Sequence, residues 1–275
     1  MIITMNFLDE IVEHKRRQIQ RAKAAVPHSE MRDRALARHA DAEPFALRAA
    51  VKEHKHQFAI IAEFKRASPS KGNIQLQADP AGMAEIFEQN GATAISVLTE
   101  EDYFRGSLKD LKAAKAAVSI PVLRKDFIID EYQVFETAAA GADALLLIVA
   151  ALGDEQLASL RWLAEGELQM DALVEVHTVD EMKRAASSGA KLIGVNNRNL
   201  GTFAVSLNVS DECLASAPVD SFLISESGLS DYADLQRLHA AGFQGFLIGE
   251  ALMRAEDPGG ALRALLGETS RARVW

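Results

Sequence analysis

Two side chains of opposite charge stand where an apolar run ends. Phe58 to Ala62 has the length and composition of a buried strand, and Glu63 and Lys65 follow it two residues apart. In a strand, residues i and i+2 share a face, so a carboxylate and an ammonium emerge side by side. Ser68-Pro69-Ser70-Lys71-Gly72 then reads as a loop. A buried charge is costly unless it is paired. Glu63 and Lys65 are therefore either a structural ion pair or half of a proton-transferring group at the mouth of a parallel barrel or sheet.

The ends of the other apolar runs decide between these. They close on Arg124-Lys125-Asp126-Phe127, on Glu175 with His177 on the same face, on Asn196-Asn197-Arg198-Asn199, on Ser225-Glu226-Ser227-Gly228 and on Gly249-Glu250. The run through Leu146 and Ile148 stays apolar to its end. Carboxylates, lysines, an asparagine and an arginine gathered on one rim suit acid–base chemistry. His177 has no metal-ligand spacing around it and reads as a supporting histidine. Gly228, after Ser227, and Gly249, before Glu250, let backbone N–H groups approach an anion. Such a site tolerates Glu250 only if its N–H points inward and its carboxylate outward to solvent.

The elements that must position these residues alternate. Strands are expected at 58–63, 94–98, 121–125, 144–149, 172–176, 191–196, 222–225 and 245–248. Helices are expected between and after them, at 80–90, 108–117, 131–140, 154–165, 179–188, 211–216, 231–240 and 258–266. Gly91, Gly141, Gly189 and Gly242 follow helices where a left-handed C′ residue is favoured. Eight such units make an α/β protein, a (β/α)8 TIM barrel, whose active site lies at the C-terminal ends of the strands and whose phosphate site lies in the loops after strands 7 and 8. An open doubly wound sheet is the other reading, but no dinucleotide glycine fingerprint follows the first strand. Residues 1–56 carry no strand signal. Phe7, Leu8, Ile11, Val12 and Ile19 give an amphipathic helix over 5–25, with further helices over 29–38 and 44–52. This N-terminal helical extension precedes the barrel, and the 275 residues form a single domain. It packs on the bottom or side of the barrel, or lies over the site as a lid.

Composition narrows the partners. With 48% hydrophobic residues, the chain can bury one large core. Its one cysteine, Cys213, excludes an intrachain disulfide and points to a reducing, cytoplasmic setting. Charged residues in the first turns exclude a signal peptide, and no apolar run is long enough to span a membrane. The net charge of −9 and the lack of a dense basic tract argue against nucleic acid. An anionic substrate then needs a locally positive site, for which Lys65, Arg66, Lys71, Arg124, Lys125 and Arg198 are available.

Taken together, Glu63-Phe64-Lys65-Arg66-Ala67-Ser68-Pro69-Ser70, Lys125-Asp126-Phe127, Glu175, Asn196-Asn197-Arg198-Asn199-Leu200, Glu226-Ser227-Gly228 and Leu247-Ile248-Gly249 resemble the indole-3-glycerol phosphate synthases of tryptophan biosynthesis. The resemblance covers the whole chain, including the helical extension. It implies ring closure, decarboxylation and dehydration of 1-(2-carboxyphenylamino)-1-deoxyribulose 5-phosphate by a carboxy-lyase, without metal or organic cofactor. On this chemistry Lys125 is the general acid, with a nearby second cation such as Lys65 easing release of its proton. Glu175 is the acid/base of the dehydration, and Glu63 orients the lysines and substrate hydroxyls. Lys65 holds the phosphate with the backbone of Gly228 and Gly249, and the adjacent Ser227 and Glu250 belong to the same substrate-binding set. Ser68, Asn196 and Arg198 take carboxylate and hydroxyls. Phe104, Phe127, Leu146 and Leu247 wall the anthranilate ring.

Two rival readings remain. A Schiff-base aldolase would use Lys125 or Lys65 as an imine-forming amine on a keto sugar phosphate. A non-catalytic phosphate-binding barrel would not need Glu175 or a second lysine. Either way the partner is a small phosphorylated molecule, with no membrane or nucleic acid, and the chain is a monomer or weak homo-oligomer.

Overall fold

A computed structural model describes residues 7–54 and 56–268. Eight parallel strands close into a barrel. They are β1 (Ala59–Phe64), β2 (Ala94–Leu98), β3 (Val122–Lys125), β4 (Ala144–Ile148), β5 (Asp171–Val176), β6 (Leu192–Asn196), β7 (Phe222–Glu226) and β8 (Gly245–Ile248). Each pairs with the next, and β8 returns to β1 with Ala59 opposite Gly245. The helical extension supplies α1 (Phe7–Ala25), α2 (His28–His39) and α3 (Ala46–Glu53). The barrel's own helices are α4 (Pro80–Gln89), α5 (Leu108–Ala117), α6 (Glu131–Ala139), α7 (Asp154–Trp162), α8 (Val179–Ser187), α9 (Asn208–Leu214), α10 (Tyr232–Ala241), α11 (Glu250–Met253) and α12 (Pro258–Leu265).

The period of two sorts each strand into two cores. Ile60, Ala62, Phe64, Ile95, Val97, Leu145, Leu147, Ile193 and Phe246 pack outward beneath the helices. Ala59, Ile61, Leu123, Leu146, Leu173, Leu192, Ile224 and Leu247 fill the interior. The inward parity that holds Ile61, Leu123, Leu173 and Ile224 also aims Glu63, Lys125, Glu175 and Glu226 into the barrel, one layer nearer the mouth.

The helix starts are written in the sequence. Asp79, Ser107, Asp130, Thr178, Asp231 and Asp257 each accept a hydrogen bond from an N–H in the first turn that follows. Several spans shift by a residue or two at their ends, and four differences carry a physical reason or bear on the site. The α-helical ladder of α7 stops at Trp162 and widens into a π turn over Leu163–Glu167, where Gly166 lies against the Trp162 indole. Helix α9 starts earlier than residue 211, because the buried Asn197 amide oxygen accepts from the Ser210 N–H and hydroxyl. Strand β7 continues to Glu226, one residue past the expected end. The loop after β1 contains a two-residue hairpin, Ala67–Ser68 with Gly72–Asn73, that carries no strand pattern of its own.

The helical extension reaches both ends of the barrel. Helix α3 closes the N-terminal end of the barrel: Leu47 and Val51 join the interior core, and Arg48 Nε donates to Asp171 Oδ1 at 2.5 Å. Helix α1 lies over the opposite mouth, where Phe7, Leu8 and Ile11 line the cavity. Residues 5 and 6 of the expected first helix lie outside the described residues. No described helix is long and apolar enough to cross a membrane.

Candidate active site

A cavity of about 630 Å³ opens at the C-terminal ends of the strands. Its lining holds Glu63, Lys65, Ser68, Phe104, Lys125, Phe127, Leu146, Glu175, Asn196, Arg198, Ser227, Gly228, Leu247, Gly249 and Glu250. Fifteen residues from all eight strands and the loops after them thus meet in one space. It has three regions.

The centre is a lysine between carboxylates. Lys125 Nζ donates to Glu226 Oε2 at 2.6 Å and to Glu175 Oε2 at 3.0 Å. Burial alone would lower the Lys125 pKa, but Glu175, Glu226 and Glu63 outweigh it and hold the ammonium above the ordinary lysine range. Burial would raise Glu175, yet Lys125 and His177 keep it well below the usual carboxylate range. Burial also raises Glu226. Lys125 opposes this while the charge of Glu175 adds to it, and Glu226 ends pushed up to about 7. The two carboxyls grip one ammonium but part in acidity because Glu175 has a second cation. His177 Nε2 stands 3.3 Å from Glu175 Oε1, without hydrogen-bond alignment, and its Nδ1 is 3.3 Å from Glu181 Oε2. Burial would lower His177; its two carboxylate neighbours raise it to about 9.

Lys65 is not placed as a free cation beside Lys125. Lys65 Nζ is paired with Glu63 Oε1 at 2.6 Å, while Lys125 is surrounded by negative charge. Glu226, a strand-end residue with no role expected from the sequence, is a central member of the site. Its signal is the parity shared with Ile224, which an expected strand ending at residue 225 leaves out. Glycines make room for both outer carboxyls. A Cβ on Gly194 would fall 2.1 Å from Glu226 Oε1, and one on Gly249 would fall 2.2 Å from Glu63 Oε1.

The second region is positive and lies along the loops after β1, β6, β7 and β8. Ser227 and Gly228 both take left-handed backbone, at φ of 66° and 77°. A Cβ on Gly228 would strike Val205 Cγ1 at 2.5 Å. Arg198 donates to Ser70 Oγ and to the Phe203 carbonyl, each at 3.2 Å. The Asn196 amide oxygen accepts from the Arg198 N–H at 3.0 Å. Of the six expected cations, Lys65, Lys71, Lys125 and Arg198 line the cavity. Arg66 and Arg124 do not: Arg66 is held by Asp110 in a two-bond fork, and Arg124 is buried against Asp126 and Glu136. Arg254 joins the lining unforeseen. The Glu250 carboxylate is only partly exposed, where an outward, solvent-facing one is expected, and it is shared among cations of the cavity. It lies 3.4 to 3.6 Å from Lys71, Arg254 and Arg198.

The third region is apolar. Phe104 and Phe127 face each other with ring centroids 6.4 Å apart. Leu98, Leu146 and Ile148 line it from the barrel and Phe7, Leu8 and Ile11 from α1. Among the described residues, no group of three or more His, Cys, Asp or Glu side chains could hold a metal ion.

A cavity with an apolar end, a cationic end and a lysine–carboxylate centre can hold an aryl group and a phosphate together. It can also move protons at the bonds between them. The family described as "Indole-3-glycerol phosphate synthase" matches residues 8–265. The curated indole-3-glycerol phosphate synthase of Carboxydothermus hydrogenoformans is 47% identical over 266 residues, covering 94% of this chain and 99% of its own. That of Polaromonas sp. strain JS666 is 46% identical, covering 95% and 98%. Among solved structures, the thiamine phosphate pyrophosphorylase of Pyrococcus furiosus superposes with a TM-score of 0.58 at 17% identity, covering 76% of this chain and 94% of its own. A 3-hexulose-6-phosphate synthase gives 0.60 at 16%, covering 77% and 100%. At that identity these two speak for the fold alone.

Proposed function

The chain belongs to the indole-3-glycerol phosphate synthase family, and from that premise we propose how its rim divides the work. The observation that carries the reading is the grip of Glu175 and Glu226 on Lys125 in a cavity that apolar and cationic side chains also line.

The substrate, 1-(2-carboxyphenylamino)-1-deoxyribulose 5-phosphate, lies with its aryl ring against Phe104 and Phe127 and its phosphate on the backbone of Ser227, Gly228, Gly249 and Glu250. Lys65 and Arg198 stand beside the phosphate. Leu146 and Leu247 form the floor. Ser68 and Asn196 meet the carboxylate and hydroxyls. The ring carbon that bears the carboxylate attacks the ketone, and negative charge grows on the carbonyl oxygen. Lys125, held charged, donates there. An alkoxide is a stronger base than an amine, so a lysine of raised pKa still transfers its proton. Carbon dioxide leaves and the ring regains aromaticity, which makes the enzyme a carboxy-lyase. Dehydration then needs a base for the nitrogen proton and an acid for the departing hydroxyl. Glu175, held ionised, is the base, and Glu226, which keeps its proton up to near neutrality, is suited to be the acid. Glu63 holds Lys65 and orients both the lysines and the hydroxyls. Reducing cytoplasm suits the free, buried Cys213.

The test is the appearance of indole fluorescence when purified protein meets this substrate, with Lys125→Ala and Glu175→Gln beside wild type. Turnover by wild type with a loss of about 100-fold or more in each variant supports the assignment. Turnover that survives Lys125→Ala removes its acid role. A folded wild type with no turnover, joined by a borohydride-trapped adduct on Lys125 or Lys65, would make the chain an imine-forming enzyme instead.

A further inference from the structure

Lys15 is a buried charge that the chemistry above does not use. It lies on α1, ahead of the barrel, yet it is only 4% exposed. Its Nζ is 2.7 Å from Asp126 Oδ1 and 3.8 Å from Glu100 Oε1, and both carboxylates are buried. Each carboxylate also fixes the backbone of an aromatic in the cavity wall. Glu100 Oε2 accepts from the N–H groups of Tyr103 at 2.6 Å and Phe104 at 3.2 Å. Asp126 Oδ1 accepts from the Phe127 N–H at 2.8 Å. One ammonium therefore joins three elements: the helix whose Phe7, Leu8 and Ile11 roof the apolar region, the loop that carries Phe104, and the β3 exit that carries Phe127.

We propose that Lys15 is a positioning residue, which sets the aryl-binding end of the cavity by clamping α1 to the carboxylates of Glu100 and Asp126. This rests on the reading of the Phe104–Phe127 end as the anthranilate pocket. The neighbouring ties of α1 to the rim are weaker in kind. Gln18 donates to Asp102 at 2.9 Å, Tyr103 donates to Glu10 at 3.0 Å, and His14 stands 3.4 Å from Asp102. They are more exposed, and exposed polar pairs contribute little. A buried pair broken on one side leaves an uncompensated charge. Asp126 would keep Arg124 at 3.2 Å and the Thr99 hydroxyl at 2.7 Å, so the barrel side stays largely paired while α1 is released. Phosphate contacts, on the far loops, should not feel the change.

The experiment compares wild type, Lys15→Met, Lys15→Arg and Glu100→Gln by three readings. These are substrate kinetics, inhibition by inorganic phosphate, and the Kd of anthranilate from its own fluorescence. In Lys15→Met, KM and the anthranilate Kd should rise about tenfold or more, kcat should fall by less, and the phosphate Ki should stay within about twofold. Lys15→Arg should recover most of the loss. Glu100→Gln keeps an oxygen for the Tyr103 and Phe104 N–H groups but lacks the charge facing Lys15, so it should show the same split in smaller measure. If Lys15→Met does not fold, the Glu100→Gln split decides. An unchanged anthranilate Kd in the folded variants, or a phosphate Ki that rises in step with KM, would overturn the proposal. Absence of wild-type turnover would instead count against the synthase reading, while the anthranilate titration still judges Lys15.

Discussion

Glu226 Oε2 lies 2.6 Å from Lys125 Nζ, nearer than Glu175, yet Glu226 is the carboxyl that keeps its proton to about pH 7. Burial and the charge of Glu175 outweigh the lysine. Its folded pKa is raised, so the group favours the folded state fully below its unfolded value, and that contribution is lost as pH rises through about 7. Carboxyl ¹³C NMR of glutamate-labelled protein should show one side chain titrating in roughly the pH 6 to 8 window, and Glu226→Gln should remove it. A spectrum in which every glutamate titrates below about pH 5 would contradict the arrangement.

The interior face of β8 leaves no room beside Glu63. A methyl group on Gly249 would lie 2.2 Å from Glu63 Oε1 and 2.9 Å from its Cβ, so the whole side chain must shift. Lys65, paired with that oxygen at 2.6 Å, must move too. Gly249→Ala should cost about 10- to 100-fold in kcat/KM and about 1–3 kcal/mol in stability by chemical denaturation. Wild-type kinetics in this variant would show that Glu63 and Lys65 need not be held in place.

The histidine beside Glu175 makes a separate pH prediction. His177 has its pKa raised to about 9 by Glu175 and Glu181. A raised basic group stabilises fully below its unfolded value near 6.5, and that stabilisation is lost as pH rises through about 9. Between pH 7 and 10 the protein should lose about 2 kcal/mol, or roughly 5 °C in Tm, from this residue. Thermal melts of His177→Asn should lack that component. An equal alkaline fall in both proteins would assign the loss to other groups.

Most of the barrel was legible because its signals are local and repeated. The second strand, the eighth strand and α5 matched expectation residue for residue. Strand-end parity also placed Glu63, Lys125 and Glu175 in one cavity. What escaped depends on contacts between distant residues. Whether a cation faces the cavity cannot be read from its strand end: Arg66 is claimed by Asp110 and Arg124 by Asp126 and Glu136. The start of α9 was set by Asn197, on the preceding strand exit. Lys15 read as one more charge on an amphipathic helix, because its partners lie about 85 and 110 residues away. The acidity of Lys125 escapes for the same reason: Glu175, Glu226 and Glu63 reach it from three other strands and together outweigh its burial.

Glu250 carries the last prediction. Its carboxylate occupies the cationic end of the cavity, 3.4 Å from Lys71, 3.5 Å from Arg254 and 3.6 Å from Arg198. An incoming phosphate dianion would meet cations already shared with this resident anion. All four side chains are partly exposed, so each contact is modest and screened by salt. Removing the charge while keeping the shape, in Glu250→Gln, should leave three cations to the ligand. The inhibition constant of inorganic phosphate should fall by about three- to tenfold at low ionic strength and by less at 0.5 M salt. KM should move the same way with little change in kcat, because the phosphate is remote from the bonds that change. The opposite result, weaker phosphate binding in Glu250→Gln, would mean that the carboxylate serves mainly to hold Lys71, Arg198 and Arg254 in place. The salt dependence separates the two cases, since a positioning defect would persist at high salt and a charge effect would not.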